Sequence, residues 1–180
     1  MAQEKTRTRE LGRDNIILIG MPGAGKSTLG VVLAKMLAYD FLDADLAIQK
    51  HTGETLQETI DTQGSETFIK IENEVLCGLK ASRTIIATGG SAIYGDKAMK
   101  HLAALGEIVY LQVSCAGMLE RLQDLDERGV VLRGGLGMSL EELYKERRPL
   151  YEKYADRVVD VDGLSITAAA RKVAAAISSK

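Results

Sequence analysis

Four stretches of the chain are almost wholly apolar. Asn15–Gly20 carries Ile16, Ile17, Leu18 and Ile19 in an unbroken run that ends in glycine. Thr84–Thr88, Ile108–Val113 and Arg157–Val161 repeat the pattern, and Phe41–Leu42 is a shorter version just before an acidic pair. Continuous rather than alternating apolar character marks strands buried on both faces, as in parallel sheets. Between these runs the apolar positions recur every three or four residues. Leu29, Val32, Leu33, Met36 and Leu37 form one face; Phe68, Ile71, Val75 and Leu79 form another over 65–81; Met118, Leu119, Leu122 and Leu125 do so over 115–125. Leu140, Leu143 and Tyr144 follow, then 168–177. Strands alternating with helices of this length predict an α/β fold of three layers: a mainly parallel five-stranded sheet, covered on both faces through right-handed crossovers.

One segment breaks the rhythm. Arg128–Ser139 holds four glycines and two arginines with little periodicity. Such a loop between two helices reads as a mobile lid, spanning about residues 126–139, that can bring positive charge onto a phosphate. Residues 1–13 are polar with both charge signs and read as a flexible tail, leaving 14–180 as a single domain. A net charge of -2 and an aromatic fraction of 4% argue against a nucleic-acid surface or a base-stacking platform. The apolar run at 16–20 is too short to span a bilayer, so no membrane association is expected. Cys77 and Cys115 stand alone without metal-ligand spacing and read as reduced packing residues of a cytoplasmic protein. His51 and His101 lie in no motif and read as structural, as do Tyr110 and Tyr151.

Gly20-Met-Pro-Gly-Ala-Gly25-Lys26-Ser27 fits G-x-x-x-x-G-K-[ST] at every fixed position, with a buried strand before it and an amphipathic helix after it. Small residues let successive backbone N–H groups wrap a phosphate, and the helix start adds its unpaired N–H groups and dipole. Gly23, Ala24, Gly25, Lys26, Ser27 and Thr28 are therefore expected to bind ATP, with Lys26 on the β and γ phosphates and the Ser27 hydroxyl on Mg²⁺. An N-K-x-D base-reading motif is absent, and 180 residues suit a compact kinase better than a large ATPase.

Asp43-Ala-Asp45 lies where a strand is expected to end, at the edge where parallel sheets bind ligands. One aspartate can hold Mg²⁺ through water while the other orients and deprotonates an attacking hydroxyl; the pair also reads as an ordinary acidic helix start. Thr88-Gly89-Gly90-Ser91 closes another strand with glycines that permit close backbone approach to a ligand.

These pieces together resemble the shikimate kinases over nearly all of residues 15–165. GMPGAGKST at 20–28, FLDADLAI at 41–48, TGE at 52–54, ENEVL at 72–76, IIATGGSAIY at 85–94 and ERRPLYEKYAD at 146–156 occur in the family's order. The resemblance implies a P-loop kinase domain that uses ATP and Mg²⁺ to phosphorylate shikimate in aromatic amino acid biosynthesis. By position it makes Asp45 the substrate-binding aspartate and possible base, and Asp43 a member of the Mg²⁺ shell. It makes Gly89 and Gly90 backbone contacts to substrate, and Arg147 the grip on the substrate carboxylate. A lid arginine that stabilises the transferring phosphoryl group is either Arg128 or Arg133.

Two positions depart from the family pattern. Ile69 stands where the family carries a second arginine for the substrate carboxylate, and Ser91 replaces the third glycine of the strand end. Ile69 reads as a plain apolar core residue; Glu72, one turn on, is the residue that positions that arginine in the family. The departures keep a second acceptor open, such as homoserine, whose ammonium would lie near Glu72. A third reading, a non-catalytic nucleotide-binding domain, runs against the intact Lys26, Ser27, Asp43 and Asp45. The expected partner is a small molecule and the expected state a monomer.

Overall fold

The computed structural model of the chain describes residues 14–126 and 139–178. In chain order the elements are β1 (Asn15–Ile19), α1 (Lys26–Leu37), β2 (Asp40–Asp43), α2 (Ala44–Thr52), α3 (Leu56–Gln63) and α4 (Ser65–Cys77). Then come β3 (Thr84–Ala87), a 3₁₀ turn at Ala92–Tyr94, α5 (Asp96–Leu105), β4 (Gly106–Gln112), α6 (Cys115–Asp126), α7 (Leu140–Tyr154), β5 (Arg157–Asp160) and α8 (Ile166–Ser178). The tail 1–13, and the lid apart from its end residues Asp126 and Ser139, lie outside the described residues, and Arg128 and Arg133 lie outside them too.

The strands form one sheet in the order β2-β3-β1-β4-β5, and every described pairing is parallel. All of β1 and β3 is buried, which is why their sequences show no polar alternation. The edge strands β2 and β5 carry the exposed positions. Ile16–Ile19, Ile85, Ile86 and Ile108–Leu111 make the centre of the core. Helices α1 and α8 pack together, as do α4 and α5. Gly30 lets α1 lie close on β2, since a Cβ there would meet the Phe41 ring at 2.7 Å.

At the amino end of β1 the buried Asn15 amide ties three segments together. It donates to the carbonyl oxygens of Ala81 and Leu105 at 2.9 and 2.8 Å and accepts the Thr84 N–H at 3.0 Å. Buried backbone polar groups need partners, and one side chain here supplies three.

Three segments depart from the sequence expectation. The helix of 65–81 ends at Cys77, because the chain turns at Gly78. Helix α5 fills a stretch that the apolar runs left blank. Helix α7 runs on from the Leu140–Tyr144 stripe through Pro149 to Tyr154. Proline withholds the N–H that would bond the carbonyl of Lys145, but both residues are exposed, so water can take that carbonyl.

Candidate functional site

The sheet order reverses beside β1, and in open parallel sheets the crevice at that point, outside the carboxyl ends of the strands, receives ligands. Gly20–Gly25 follow β1 there, Asp43 ends β2, and Thr88–Gly90 follow β3. Thr88 anchors the last of these through its hydroxyl, which donates to the Leu18 carbonyl oxygen at 3.0 Å.

The loop after β1 owes its shape to two glycines in particular. A Cβ at Gly20 would come within 2.7 Å of the Leu111 carbonyl oxygen, and Gly25 starts α1 from a left-handed conformation with φ of 87°. Lys26 is the first residue of α1 and is 8% exposed. Its ammonium donates to the carbonyl oxygens of Gly20 and Met21 at 2.8 and 2.9 Å, across the mouth of the loop. Burial pushes this group down to about 8, and the Asp45 carboxylate pushes back. Arg147 opposes its charge, while Asp43 and Glu72 support it. Five ionisable groups from α1, α2, α4, α7 and the end of β2 thus share one electrostatic neighbourhood.

Asp43 caps α2, its Oδ1 accepting the Asp45 N–H at 2.9 Å. The acidic helix start and the aspartate pair are therefore the same structure: capping aims the strand end, and Asp45 follows in the first turn. Ser27, exposed beside Lys26, and Asp43 offer hydroxyl and carboxylate oxygens, the hard donors that Mg²⁺ takes alongside phosphate oxygens. Thr28 is also exposed on this turn.

The other side of the crevice is organised around Gly89 and Gly90. A Cβ at Gly89 would stand 2.5 Å from Glu72 Oε1 and 3.1 Å from Asp45 Oδ1, so two carboxylates converge on one hydrogen. A Cβ at Gly90 would stand 3.0 Å from Arg147 Nη1 and 3.1 Å from Pro22 Cδ of the phosphate loop. Tyr151 donates from below to the Gly90 carbonyl oxygen. Both Glu72 and Arg147 are buried, at 1% and 3% exposure. Ser91 is buried as well, and its hydroxyl donates to Glu72 Oε2.

Beside this cluster lies a cavity of about 780 Å³, whose wall includes Ile60, Phe68, Ile69, Ser91, Tyr94 and Arg147. Ile69 is half-buried on that wall and is not part of the hydrophobic core, which corrects the core reading of its sequence position. The helix turn that buries Phe68 and Glu72 leaves position 69 facing the opening. The structure brings Lys26, Asp43, Asp45, Gly89, Gly90, Ser91 and Arg147 to one crevice. Tyr94 and Tyr151 are additions. Both sat inside recognised segments, but only the fold shows that their hydroxyls point at Arg147 and Gly90. The two cysteines are free and half-buried, and His101 bonds the Leu79 carbonyl at 2.8 Å, away from this cluster.

A phosphate-binding loop at the carboxyl end of a parallel sheet, facing a carboxylate pair and a buried guanidinium, defines a P-loop small-molecule kinase. The chain belongs to the shikimate kinase family, whose sequence model matches residues 22–178. Shikimate kinase of Methylococcus capsulatus is 38% identical over 162 residues, covering 89% of this chain and 90% of that protein. Among solved structures, shikimate kinase from Acinetobacter baumannii in complex with shikimate superposes with a TM-score of 0.81 at 32% identity, covering 93% of this chain and 94% of that one. Shikimate kinase from Aquifex aeolicus gives 0.74 at 28% identity, over 91% and 96%. Members of this family are ATP-dependent kinases of small molecules. Among the described residues no helix is long and apolar enough to cross a membrane.

Proposed function

We propose that this protein transfers the γ-phosphoryl group of ATP to the 3-hydroxyl of shikimate. The observation that carries the reading is the meeting of Lys26, Asp45, the Gly89–Gly90 strand end and Arg147 at one crevice. Gly23, Ala24, Gly25 and Thr28 cradle the phosphates with Lys26, and Ser27 and Asp43 would hold Mg²⁺, which would supply charge neutralisation at the phosphates. Arg147 pairs with the substrate carboxylate, a match of planar cation and planar anion. Asp45 orients the acceptor hydroxyl and takes its proton as the oxygen attacks phosphorus and the bond to ADP breaks. Arg128 or Arg133 stabilises the charge that develops on the transferring group. Positioning and electrostatics account for most of the acceleration in such reactions.

Homoserine as the acceptor is disfavoured by Ser91, which already directs a hydrogen bond at Glu72, the carboxylate an ammonium would need. The cavity wall beside Arg147, with Ile60, Phe68 and Ile69, suits a carbocyclic ring better than a short amino acid. The test is ADP release with Mg·ATP and a panel of shikimate, homoserine, gluconate, nucleoside monophosphates and no acceptor. Shikimate-dependent release well above every other arm is expected. Release that follows another acceptor, or none, overturns the assignment.

A further inference from the structure

The 3₁₀ turn that follows β3 carries two hydroxyls three residues apart, at Ser91 and Tyr94, and each reaches a different charged group. Ser91 donates to Glu72 Oε2, both residues being buried. Tyr94 accepts the Nε–H of Arg147 at 3.1 Å and donates its own proton to Glu146 Oε1. The Arg147 guanidinium also lies over the Tyr94 ring, 5.3 Å from its centroid. Burial and the Glu146 hydrogen bond raise the Tyr94 phenol above its ordinary value, with Arg147 pulling the other way, so the proton that Glu146 accepts stays in place at neutral pH. The turn is itself fixed, since the Tyr94 N–H bonds the Ser91 carbonyl oxygen at 3.0 Å and the Gly95 N–H bonds that of Ala92 at 3.1 Å.

We propose that this turn is a brace for the acceptor site, with Ser91 and Tyr94 as positioning residues that fix Glu72 and Arg147 by their hydroxyls. The inference rests on the functional reading above only in taking Arg147 and the Glu72 and Asp45 carboxylates beside Gly89 as the acceptor's contacts. Arginine has several rotatable bonds, and a hydrogen bond at Nε together with stacking on a ring limits the directions its terminal nitrogens can take, the Tyr151 hydroxyl bonding the same side chain. Here one such direction is Gly90, whose hypothetical Cβ meets Nη1. Glu72, restrained through Oε2, turns Oε1 toward Gly89 and Asp45. The brace therefore sets a cation and an anion at a fixed separation along the same short stretch of backbone. A ligand that fits must offer a carboxylate to one end and a hydroxyl group to the other. The phenol and the serine hydroxyl touch these charges rather than the reacting atoms, so their effect belongs on acceptor binding.

Tyr94→Phe keeps the ring and its packing and removes only the hydroxyl; Ser91→Ala does the same for the other arm. Each is expected to raise the acceptor KM roughly tenfold, the lower end for a hydrogen bond to a charged group, while the ATP KM moves less than about twofold. Ser91→Thr, which keeps a hydroxyl, should stay nearer the parent than Ser91→Ala. In an Arg147→Ala background, Tyr94→Phe should leave the acceptor KM unchanged, and in Glu72→Gln, Ser91→Ala should lose most of its effect. Independent, multiplying effects in both cycles overturn the brace. A readout without any acceptor separates this idea from the substrate assignment: the Arg147 Nε–H should exchange with water about tenfold faster in Tyr94→Phe. Unchanged exchange overturns the Tyr94 arm whichever acceptor is turned over. Faster exchange alongside turnover of an acceptor other than shikimate overturns the assignment alone.

Discussion

The Tyr151 phenol donates a hydrogen bond of 2.7 Å to the carbonyl oxygen of Gly90. Tyr151 is wholly buried and stacks on Tyr110 with ring centroids 5.0 Å apart. It lies four residues beyond Arg147, on the same face of α7, so one helix both grips the strand end and presents the guanidinium beside it. Tyr151→Phe keeps the stack and leaves a buried carbonyl short of a partner. The expected loss is about 1–3 kcal/mol of unfolding free energy, together with a severalfold rise in acceptor KM. Urea denaturation and steady-state kinetics check both, and a variant as stable as the parent would show the bond to be idle.

Lys26 gives stability an unusual pH dependence. Its folded-state value falls to about 8 through burial, against 10.5 in an exposed lysine. Between these values the unfolded chain holds a proton that the folded chain has released. Stability therefore rises with pH across that window, by up to roughly 3 kcal/mol, and the burial penalty is fully present below it. Urea midpoints of the parent and of Lys26→Met, compared at about pH 7.5 and about pH 10, should diverge in the parent's favour on the alkaline side. Parallel trends would mean that Lys26 titrates like an exposed lysine. A bound polyphosphate should restore the proton, so ATP binding at about pH 9 is expected to take up protons, measurable by calorimetry in two buffers of different ionisation enthalpy.

Gly89→Ala is expected to abolish acceptor turnover while sparing nucleotide binding. The added methyl carbon would sit 2.5 Å from Glu72 Oε1 and 3.1 Å from Asp45 Oδ1, and Glu72 is buried with little room to retreat. A fall of at least about 100-fold in kcat/KM for the acceptor follows from displacing the carboxylate that meets the hydroxyl. Nucleotide affinity within about twofold of the parent is the control. Retained turnover would place the acceptor elsewhere.

Ile69→Arg should improve shikimate binding. It would put a second guanidinium on the cavity wall near Arg147, one turn before Glu72. One further hydrogen bond to a charged group corresponds to roughly 10- to 150-fold in affinity; competition with Ser91 for Glu72 argues for the lower part of that range. A lower KM for shikimate at constant ATP KM is the expected result, and a higher one would assign Ile69 a direct apolar contact with the substrate.

Gly30→Ala tests the seating of α1. Alanine favours helix over glycine by about 1 kcal/mol, but overpacking costs about 1–3 kcal/mol, and the contact with Phe41 at 2.7 Å is severe. Net destabilisation of about 1 kcal/mol is expected by thermal or chemical melting. In a Phe41→Leu background the ring is gone and the same change should become neutral or stabilising.

Sequence legibility divides along physical lines. The central strands β1, β3 and β4 were readable because burial leaves little polar alternation, the edge strands β2 and β5 from shorter apolar runs, and the phosphate loop because its glycines are fixed by backbone shape. Helix α5 carries Ala98, Met99 and Leu102 on its buried face, a shorter apolar stripe than those that stood out. Ser139 and Glu142 form a capping box that fixes the start of α7, a local signal hidden by the glycine-rich run before it. The contacts of Ser91 with Glu72 and of Tyr94 with Arg147 cross 19 and 53 residues of chain. No periodicity or spacing announces such pairs; they exist only once β3, α4 and α7 are docked.

The Asn15 amide binds three segments at the amino ends of the strands, while the phosphate loop, Asp43 and Gly89–Gly90 follow the carboxyl ends. One end of the sheet is thereby a fastener and the other a workbench. Asn15→Ala should loosen the whole fold without favouring one acceptor over another, whereas exchanges such as Ile69 and Ser91 can retune what is held without undoing the fastening. The same frame can host new acceptors because the rim that chooses them is not the seam that holds it shut.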